Sequence, residues 1–285
     1  MQAITYFYNL VSLYITSLNS GSNGNCYYIG NEHDAILVDA GLTCRETEKR
    51  MARLGLNMKS VRAIFISHEH GDHIKGVAVI AAKYNLPVYI TKHTYNMSRM
   101  GLSADLVRYI TVGCITNVND FSVTAFSKIH DAIEPQSFTV SFNGVTIGVF
   151  TDLGRVCDDV VLHFRQCHAA FLEANYDAEM LNEGRYPIHL KNRIRGGKGH
   201  ISNVEALALF KEHAPAHMSH LLLSHLSHDN NNPELVKNMF TAAAGKVNIV
   251  VASRYAETEL YHITPTTAHK PVYLTEHYTR QATLF

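Results

Sequence analysis

The most concentrated chemistry in the sequence is the segment "SHEHGDHIKG" at residues 67–76, which carries His68, His70, Asp72 and His73. Imidazole nitrogen and carboxylate oxygen are ligands that suit zinc and that manganese and iron also accept. In an extended turn His68 and His70 project to the same side and can hold one ion. The carboxylate and the third imidazole can then reach a neighbouring ion. A solvated polar turn is the alternative in a chain with 18 histidines, but the spacing favours metal binding over chance.

The metal pattern lies between an apolar run and a helix-like segment, and similar elements recur along the chain. Short apolar runs rich in β-branched and aromatic residues predict buried strands at "LYITSL", "AILVDAG", "RAIFISH", "LPVYIT", "VTIGVFTD", "HAAFLEAN", "LLLSHLS" and "VNIVVAS". Helical spacing occurs in "CRETEKRMARLGL", "HIKGVAVIAAKYN" and "NVEALALFKEHAP", and either Ser202 or Asn203 is a suitable cap for the last of these. Strands and helices are mixed throughout, so the sequence predicts the α/β class.

Several predicted strands end in a polar residue that can bind or orient a metal. These residues are Asp39, His68, Asp152 and His225. Polar groups at strand ends converge on one rim of a sheet, and "SKIHDA" brings His130 to a similar place. We expect Asp39 to orient the "HEHGDH" loop, with a simple strand-end turn as the alternative. His228 competes with His225, which we favour because it directly ends a buried strand.

Composition limits the classes of protein that the chain can belong to. The 285 residues include 25 basic and 25 acidic ones, so no global field favours nucleic acid or membranes. The five cysteines form no C-x-x-C pair, no apolar run is long enough to span a membrane, and the first basic residue is Arg45. We therefore expect a reducing, cytoplasmic location and no signal peptide. The polar character of the C-terminal segment predicts one domain at 1–262 and a tail at 263–285.

The set and order of these residues resemble the signature of the metallo-β-lactamase superfamily, which reads here "HEHGDH", "SKIHDA", "GVFTDLG" and "LLSHLSHDNN". The resemblance implies a four-layer αβ/βα sandwich, with two mixed β-sheets flanked by helices and two metal ions between the sheets. It assigns the first ion to His68, His70 and His130. It assigns the second ion to Asp72, His73 and His225, with Asp152 as the bridge. Zinc or manganese is expected, iron is an acceptable substitute, and Asp72 is also expected to act in catalysis.

A second concentration of chemistry is the basic segment "GRYPIHLKNRIRGGKGHISN" at residues 184–203. It contains no Asp or Glu, and its cations are Arg185, Lys191, Arg193, Arg195 and Lys198. Cationic side chains beside glycines suit a phosphate backbone, which dominates affinity for nucleic acid. The alternative is a solvated helix face followed by a loop. The place of this segment between the Asp152 and His225 motifs favours phosphate contacts, with Arg193, Arg195 and Lys198 as the candidates.

This segment, together with "LNSGSNGNCYYIG", "FLEANYDAEML" and "LSHLSHDNN", resembles the WalJ/YycJ branch of the superfamily. The resemblance implies a metal-dependent phosphodiesterase that acts on DNA, most simply an exonuclease. The stretch from Asp152 to His225 is too short for the long nucleic-acid-binding insertion of the β-CASP nucleases. One alternative is a hydrolase of a small thioester, lactone or cyclic phosphodiester, which predicts a closed apolar pocket. The other is a non-catalytic, metal-stabilised binding or regulatory protein, which predicts an incomplete ligand set.

Further substrate contacts are expected from polar residues near these motifs. The turn "SGSNGN" offers backbone N–H groups and small polar side chains, and its candidates are Ser20, Ser22, Asn23 and Asn25. We expect His200 to donate a proton to the leaving oxygen or to hold the scissile phosphate. Asn203 and Asn230 are candidate substrate contacts. The alternatives are a hairpin turn at "SGSNGN", a helix-capping loop around His200 and a turn at "HDNNN".

The last five residues, "QATLF", resemble the short peptides with which DNA-processing proteins dock on the bacterial sliding clamp. Gln281 is followed by the terminal pair Leu284 and Phe285. The apolar pair can enter a hydrophobic pocket while the Gln amide fixes the register, with an affinity of about micromolar because the tail must become ordered. A tail that hangs free or folds back on the domain is the alternative. The sequence makes no prediction of the oligomeric state.

Overall fold

The computed structural model describes residues 12–265 and places their strands in two seven-stranded sheets. The first sheet contains β1 (Leu13–Asn19), β2 (Cys26–Gly30), β3 (Ala35–Val38), β4 (Val61–Phe65), β5 (Val88–Ile90), β6 (Val107–Tyr109) and β14 (Tyr261–Ile263). Its strand order is β14-β1-β2-β3-β4-β5-β6. Neighbouring strands from β14 to β3 are antiparallel, and those from β3 to β6 are parallel.

The second sheet repeats this plan. It contains β7 (Ile115–Val118), β8 (Phe121–Ser127), β9 (Gln136–Phe142), β10 (Val145–Phe150), β11 (Ala169–Glu173), β12 (His220–Ser224) and β13 (Asn248–Val251), in the order β13-β12-β11-β10-β9-β8-β7. Strands β7 to β10 are antiparallel to their neighbours, and β10 to β13 are parallel. Each sheet therefore has parallel strands whose carboxyl ends share one edge.

Helices cover the outer faces of both sheets. They are α1 (Cys44–Arg53), α2 (Gly71–Ile74), α3 (Val77–Tyr84), α4 (Lys92–Ser98), α5 (Asp158–Phe164), α6 (Ala178–Glu183), α7 (Ile188–Arg195), α8 (Asn203–His213) and α9 (Pro233–Thr241), with short 3₁₀ turns at Met58–Ser60 and Ala104–Leu106. One apolar cluster fills the space between the sheets, and two others fill the spaces between each sheet and its helices. The four-layer αβ/βα sandwich expected from the sequence is thus confirmed.

The predicted elements are present, with two adjustments. Each apolar run quoted above contains a strand, and Ser202 caps α8 through a reciprocal capping box with Glu205. The single helix predicted at "HIKGVAVIAAKYN" is divided into α2 and α3. Gly76 lies between them and packs so closely on Leu42 that a Cβ would clash with the Leu42 carbonyl oxygen. Strand β14 ends at Ile263, one residue beyond the expected domain boundary. Among residues 12–265, no helix is long and apolar enough to cross a membrane.

Candidate metal centre

The expected ligands lie at one rim of the sandwich, where the parallel strands of both sheets end. Asp39 and His225 directly follow β3 and β12, and Asp152 follows β10 by two residues. The φ angles of Asp39, Asp152 and His225 are 59°, 55° and 55°. Such left-handed backbone is uncommon for residues other than glycine and is concentrated at functional sites. His228, the alternative to His225, is exposed and lies outside the groups of potential ligands.

The "HEHGDH" loop is fixed by backbone hydrogen bonds to neighbouring turns of the first sheet. The Asn25 N–H donates to the carbonyl oxygen of Asp72 over 2.7 Å, and the Ala40 N–H donates to that of His73 over 2.8 Å. Gly41 lies so close to this loop that a Cβ would clash with the Asp72 carbonyl oxygen. The turn "DAG" and the "HEHGDH" loop therefore form one braced unit, which requires glycine at position 41.

Three imidazoles form the first group of potential ligand atoms, and they belong to His68, His70 and His130. His68 Nε2 lies 3.0 Å from His70 Nδ1, and His130 Nε2 lies 3.4 Å from the same atom. His68 and His130 are buried, and His130 comes from the loop after β8. Three ring nitrogens at this spacing fit one divalent ion.

The second group consists of Asp72, His73 and His225. Asp72 Oδ2 lies 3.5 Å from His73 Nε2 and 3.6 Å from His225 Nε2. Asp152 lies between the two groups. Its Oδ2 is 3.2 Å from His73 Nε2, and its Oδ1 is 3.2 Å from His225 Nδ1 and 3.9 Å from His130 Nε2. The carboxylate of Asp152 thus joins the first group to the second.

The hydrogen bonding of these residues fits a metal. Asp152 Oδ2 and His225 Nε2 are buried and have no hydrogen-bond partner within the described part of the chain, a state that is costly unless another ligand satisfies it. The Nδ1 atoms of His73, His130 and His225 contact oxygens of Asp39, Gly199 and Glu173, respectively. Such an outer contact, which leaves Nε2 for the ion, is typical of metal-binding histidines.

The charges of the buried groups also fit a cation. Burial lowers the pKa of His225, but the neighbouring carboxylates, with Asp152 foremost, outweigh it and raise the pKa to about 10. Burial likewise opposes a charge on His73, yet the carboxylates around it raise its pKa well above the ordinary value. Burial lowers the pKa of His68, and it lowers the pKa of His130 to about 4, so both imidazoles are neutral and able to bind metal. The carboxylates therefore attract positive charge to the position where a divalent ion would bind.

Asp39 is buried and contacts the "HEHGDH" loop from the end of β3. Its Oδ1 accepts from the Ser67 N–H over 2.8 Å, and its Oδ2 accepts from Ser67 Oγ over 2.8 Å. The same Oδ2 lies 2.7 Å from His73 Nδ1. An orienting residue makes contacts of this kind, and the role of Asp39 stays a prediction.

The sequence reasoning did not single out Glu173, a fully buried side chain at the end of β11. Its Oε1 lies 2.7 Å from His200 Nδ1 and 3.1 Å from His225 Nδ1, and its Oε2 accepts from the Leu153 N–H over 2.7 Å. Glu173 therefore holds an expected catalytic residue and an expected ligand together. It is the last residue of β11 and lies within the run "HAAFLEAN", so the strand-end pattern that indicated Asp39 was also present here.

Lys128 is a second residue that the sequence reasoning missed. It is buried, and its Nζ donates to the carbonyl oxygen of Thr151 over 2.6 Å, directly before Asp152. Burial lowers the pKa of this ammonium group, while the nearby carboxylates of Asp152 and Asp39 oppose the shift. Lys128 thus fixes the backbone that leads to Asp152 and adds a positive charge near these carboxylates.

Residues 184–200, which we call the basic arm, border the centre. Arg193 Nε donates to Asp131 Oδ2 over 2.6 Å, beside His130. The carbonyl oxygen of Gly199 lies 2.9 Å from His130 Nδ1, and a Cβ on Gly154 would clash with the backbone of the arm. The side chains of Arg193, Arg195 and Lys198 are exposed. The structure therefore places Arg193 at the edge of the ligand cluster, with Arg195 and Lys198 on the same arm.

The turn "SGSNGN" contributes two buried residues that position the centre. Ser20 Oγ accepts from the His225 N–H over 2.7 Å. Asn25 Nδ2 donates to Asp72 Oδ2 over 3.1 Å. These two side chains were expected to contact phosphate, and the structure instead places them against the ligand residues.

The tip of the same turn is exposed. Arg254 Nη2 donates to Ser22 Oγ over 2.9 Å, and Asn23 Nδ2 donates to the carbonyl oxygen of Arg254 over 2.8 Å. Ser22 and Asn23 therefore share the surface with a cation from the loop after β13, which the sequence reasoning had not connected to them.

Asn203 and Asn230 are not substrate contacts in this structure, because both are fully buried. Asn203 exchanges two side-chain hydrogen bonds with Asn231, over 2.9 Å and 2.8 Å. Asn230 Nδ2 lies 3.3 Å from Ser227 Oγ, and its Oδ1 packs against Gly184. The expectation for these two residues is corrected. Their amides connect loops on the inside of the fold, where a substrate does not reach.

Comparison with known proteins identifies the family. The family description "Metallo-beta-lactamase superfamily" matches residues 20–222, and the chain belongs to this superfamily. It is 37% identical over 230 residues to "Exodeoxyribonuclease YycJ" of Bacillus anthracis, which covers 80% of this chain and 87% of that protein. It is 30% identical over 256 residues to "Exodeoxyribonuclease WalJ" of Streptococcus pneumoniae, which covers 88% of this chain and 94% of that protein. The resemblance to the WalJ/YycJ branch is confirmed.

Solved structures show the same fold at low sequence identity. The metallo-beta-lactamase fold protein YhfI of Bacillus subtilis superposes with a TM-score of 0.70 at 15% identity and covers 88% of this chain and 99% of its own. The short form of human tRNase Z superposes with a TM-score of 0.61 at 17% identity, and the superposition covers 86% of this chain and 98% of that one. Together, the family, the fold and the ligand groups define the chain as a metal-dependent hydrolase.

Proposed function

We propose that the chain is an exodeoxyribonuclease that hydrolyses phosphodiester bonds at DNA ends. The observation that carries the proposal is the contact between Arg193 and Asp131, which places an exposed cation directly beside the buried ligand cluster. Phosphate is the substrate group that needs both features. The curated relatives named exodeoxyribonucleases favour this function over a small-molecule hydrolase or a non-catalytic binding protein.

The proposed centre binds two divalent ions, zinc or manganese, with iron as an acceptable substitute. His68, His70 and His130 would hold one ion. Asp72, His73 and His225 would hold the other, and Asp152 would contact both. When bound, such a pair lowers the pKa of a water molecule and neutralises charge on a phosphoryl oxygen.

His200 is the proposed proton donor. Its Nδ1 is held 2.7 Å from Glu173 Oε1, so Nε2 is left for the substrate. Its ring centroid lies 5.5 Å from that of His130 and 5.1 Å from that of His225, so it stands beside the ligand cluster. A proton given from Nε2 to the leaving oxygen turns an alkoxide into an alcohol, which departs more readily.

Asp72 is the proposed proton acceptor. Its Oδ2 is held by the Asn25 amide, which leaves Oδ1 to accept a proton from the attacking water. The Asp72 side chain is partly exposed, in contrast to the fully buried side chain of His73. Water can therefore reach Asp72 from the open side of the centre.

The basic arm is proposed to bind the phosphates next to the cleaved bond. Arg193 is paired with Asp131 in the free protein, and Arg195 donates to Asn182 Oδ1 over 2.6 Å. Lys198 is exposed and close to Gly199, whose carbonyl oxygen contacts an expected ligand. The chain has no long DNA-binding insertion, and these cations are proposed to bind the DNA backbone in its place.

Docking on a sliding clamp through Gln281, Leu284 and Phe285 stays part of the proposal, as does a cytoplasmic location. These three residues lie outside the described part of the chain. A labelled peptide of the last dozen residues, titrated against a sliding clamp from the same organism, should bind with a Kd of about micromolar. A peptide with Leu284→Ala and Phe285→Ala should not bind. Equal behaviour of the two peptides would remove the clamp from the proposal.

The nuclease proposal is tested with end-labelled single- and double-stranded DNA and RNA, and with closed circular DNA, each with zinc, manganese or a chelator. We expect nucleotides to be released from DNA ends only when metal is present, and we expect circular DNA to stay intact. Asp152→Ala should abolish release, while Asp120→Ala, in an exposed turn, should leave it unchanged. Cutting of circles would contradict exonuclease action. If neither linear DNA nor RNA is hydrolysed at any metal concentration, the proposed function is wrong.

A further inference from the structure

A cavity of about 330 Å³ lies beside the metal centre, at the same rim of the sandwich. It is formed by the turn after β1 and by the loops after β12 and β13, and its lining includes Ser20, Leu226, His228, Arg254 and Tyr255. Ser20 also accepts a hydrogen bond from the His225 N–H, and Leu226 follows His225 in the chain. The cavity and the ligand cluster therefore share a wall.

The backbone of Tyr255 is fixed by hydrogen bonds, whereas its side chain is exposed. Its N–H donates to Ser253 Oγ over 3.0 Å, and its carbonyl oxygen accepts from Arg50 Nη2 over 3.1 Å. Arg50 is buried and also donates to the carbonyl oxygen of Leu18, near the end of β1. The residue is nevertheless 71% exposed. A rigidly mounted, exposed aromatic ring at the edge of a cavity is suited to stacking on a planar ligand.

The mouth of the cavity also carries a positive charge. Arg254 directly precedes Tyr255, and its guanidinium contacts Ser22 Oγ at the tip of the "SGSNGN" turn. Arginine is the cation best suited to phosphate, because its planar group presents several N–H donors together. One short loop thus offers an aromatic face and a phosphate donor in adjacent positions.

We propose that this cavity is a nucleobase subsite, in which the base of a nucleotide next to the cleaved bond stacks on Tyr255 while Arg254 binds its phosphate. The proposal rests on the nuclease function, which makes DNA the ligand. The volume lies at the lower end of the range of ligand pockets, about 300–1,000 Å³, which is enough for one nucleotide. Apolar contact comes from Leu226 and Val251, and polar contact with the edge of the base comes from the exposed His228.

The subsite has a consequence for the substrate. A base that enters a cavity lined by three loops must leave the duplex stack and its complement. The enzyme should therefore act on single-stranded DNA or on frayed duplex ends, and it should tolerate every base, because each base has a face that can stack.

The test compares two single-stranded oligonucleotides that differ by an abasic residue at the terminal position. The holoenzyme should cleave the normal oligonucleotide about tenfold faster in kcat/KM than the abasic one, which is in the range of one base–aromatic stack. Tyr255→Ala should cleave both at the slower rate, and Tyr255→Phe should keep the preference. Tyr109→Ala is the matched control, since Tyr109 is 56% exposed on β6, at the opposite edge of the first sheet from β14.

A second readout separates binding from turnover. A terminal 2-aminopurine should lose fluorescence when it binds to wild type or to Tyr255→Phe, and it should lose much less with Tyr255→Ala. If Tyr255→Ala keeps both the preference and the quenching, the subsite proposal is wrong while the nuclease function stands. If wild type hydrolyses a small chromogenic phosphodiester but leaves both oligonucleotides and a linear duplex intact, the nuclease function fails, and the subsite fails with it. If wild type degrades the duplex but leaves both oligonucleotides intact, the subsite proposal is wrong while the nuclease function stands.

Discussion

The two halves of the metal centre are built in different ways. The first-sheet half comes from one segment, residues 68–73, and backbone hydrogen bonds to Asn25 and Ala40 hold it in place. The second-sheet half is collected from the ends of separate strands, and its imidazoles are held by the carboxylate of Glu173 and the carbonyl oxygen of Gly199. The first half has these backbone hydrogen bonds in addition to the Asp39 carboxylate, which contacts His73 alone among its histidines. In the second half, His200 and His225 both depend on the single carboxylate of Glu173.

The largest effect is expected from the residue that joins the halves. Asp152→Ala should lower the metal content from about two ions per chain, because a bridging carboxylate serves both ions. It should slow hydrolysis about a thousandfold or more, since several kcal/mol of transition-state stabilisation depend on the ions. Metal analysis by mass spectrometry and digestion of labelled DNA measure the two effects. Full activity with one tightly held ion would mean that Asp152 does not bridge.

The next prediction compares the two buried carboxylates that contact ligand histidines, those of Asp39 and Glu173. Asp39 Oδ2 lies 2.7 Å from His73 Nδ1, and Glu173 Oε1 lies 3.1 Å from His225 Nδ1, so each carboxylate contacts one histidine of the same ligand group. Asp39→Asn and Glu173→Gln should each weaken metal affinity about 10- to 100-fold. Glu173→Gln should also lower kcat at saturating metal, because Glu173 orients His200.

Chelator competition gives the metal affinities of these two variants, and initial rates at saturating metal give kcat. Melting temperatures control for loss of the fold in either protein. Equal kcat values in the two variants would mean that Glu173 serves the metal alone and that His200 needs no positioning.

A smaller effect is expected from removing cations of the exposed basic arm, which should change DNA binding more than the chemistry of the buried centre. Arg193→Ala with Arg195→Ala should weaken DNA binding, and the slope of log affinity against log salt should become shallower by about one unit per lost contact. Hydrolysis of a small chromogenic phosphodiester should change far less, because it does not reach the arm. Lys246→Ala is the control, since Lys246 is exposed in the turn before β13, at the other end of the sheet. An unchanged slope in the double variant would leave the arm without a role in binding DNA.

The smallest effect is expected from removing the N-cap of one helix on each sheet. Ser202 caps α8 just after His200, and Thr43 caps α1, which packs on the first sheet. Ser202→Ala and Thr43→Ala should each cost about 1 kcal/mol of stability, as the loss of a capping hydrogen bond usually does. Both should lower the melting temperature by about 2–4 °C. We expect Ser202→Ala alone to reduce kcat as well, by a small factor. Identical rates in both variants would show that the position of His200 does not depend on the start of α8.

Much of the fold and the first half of the centre could be read from local patterns. Apolar runs with polar ends predicted the central strands, because burial on both faces requires continuous apolar residues. The short strands β6, β7 and β14 at the sheet edges were not predicted, since they are brief and partly exposed. Strands β2, β8 and β9 were also not predicted, although they lie inside the sheets. The "HEHGDH" loop was readable because its ligand side chains are neighbours in sequence.

What the sequence by itself determined is therefore the family, the layered α/β fold and the set of candidate ligand side chains, because these depend on residue type and short-range spacing. The tertiary structure alone decided which polar residues meet. It placed Glu173 against His200. It also buried Asn203 and Asn230, although asparagine side chains are mostly exposed in proteins. It also brought Tyr255 to the rim of the centre. Contacts between residues far apart in the chain follow from the register and packing of the two sheets, which no local pattern of side chains encodes.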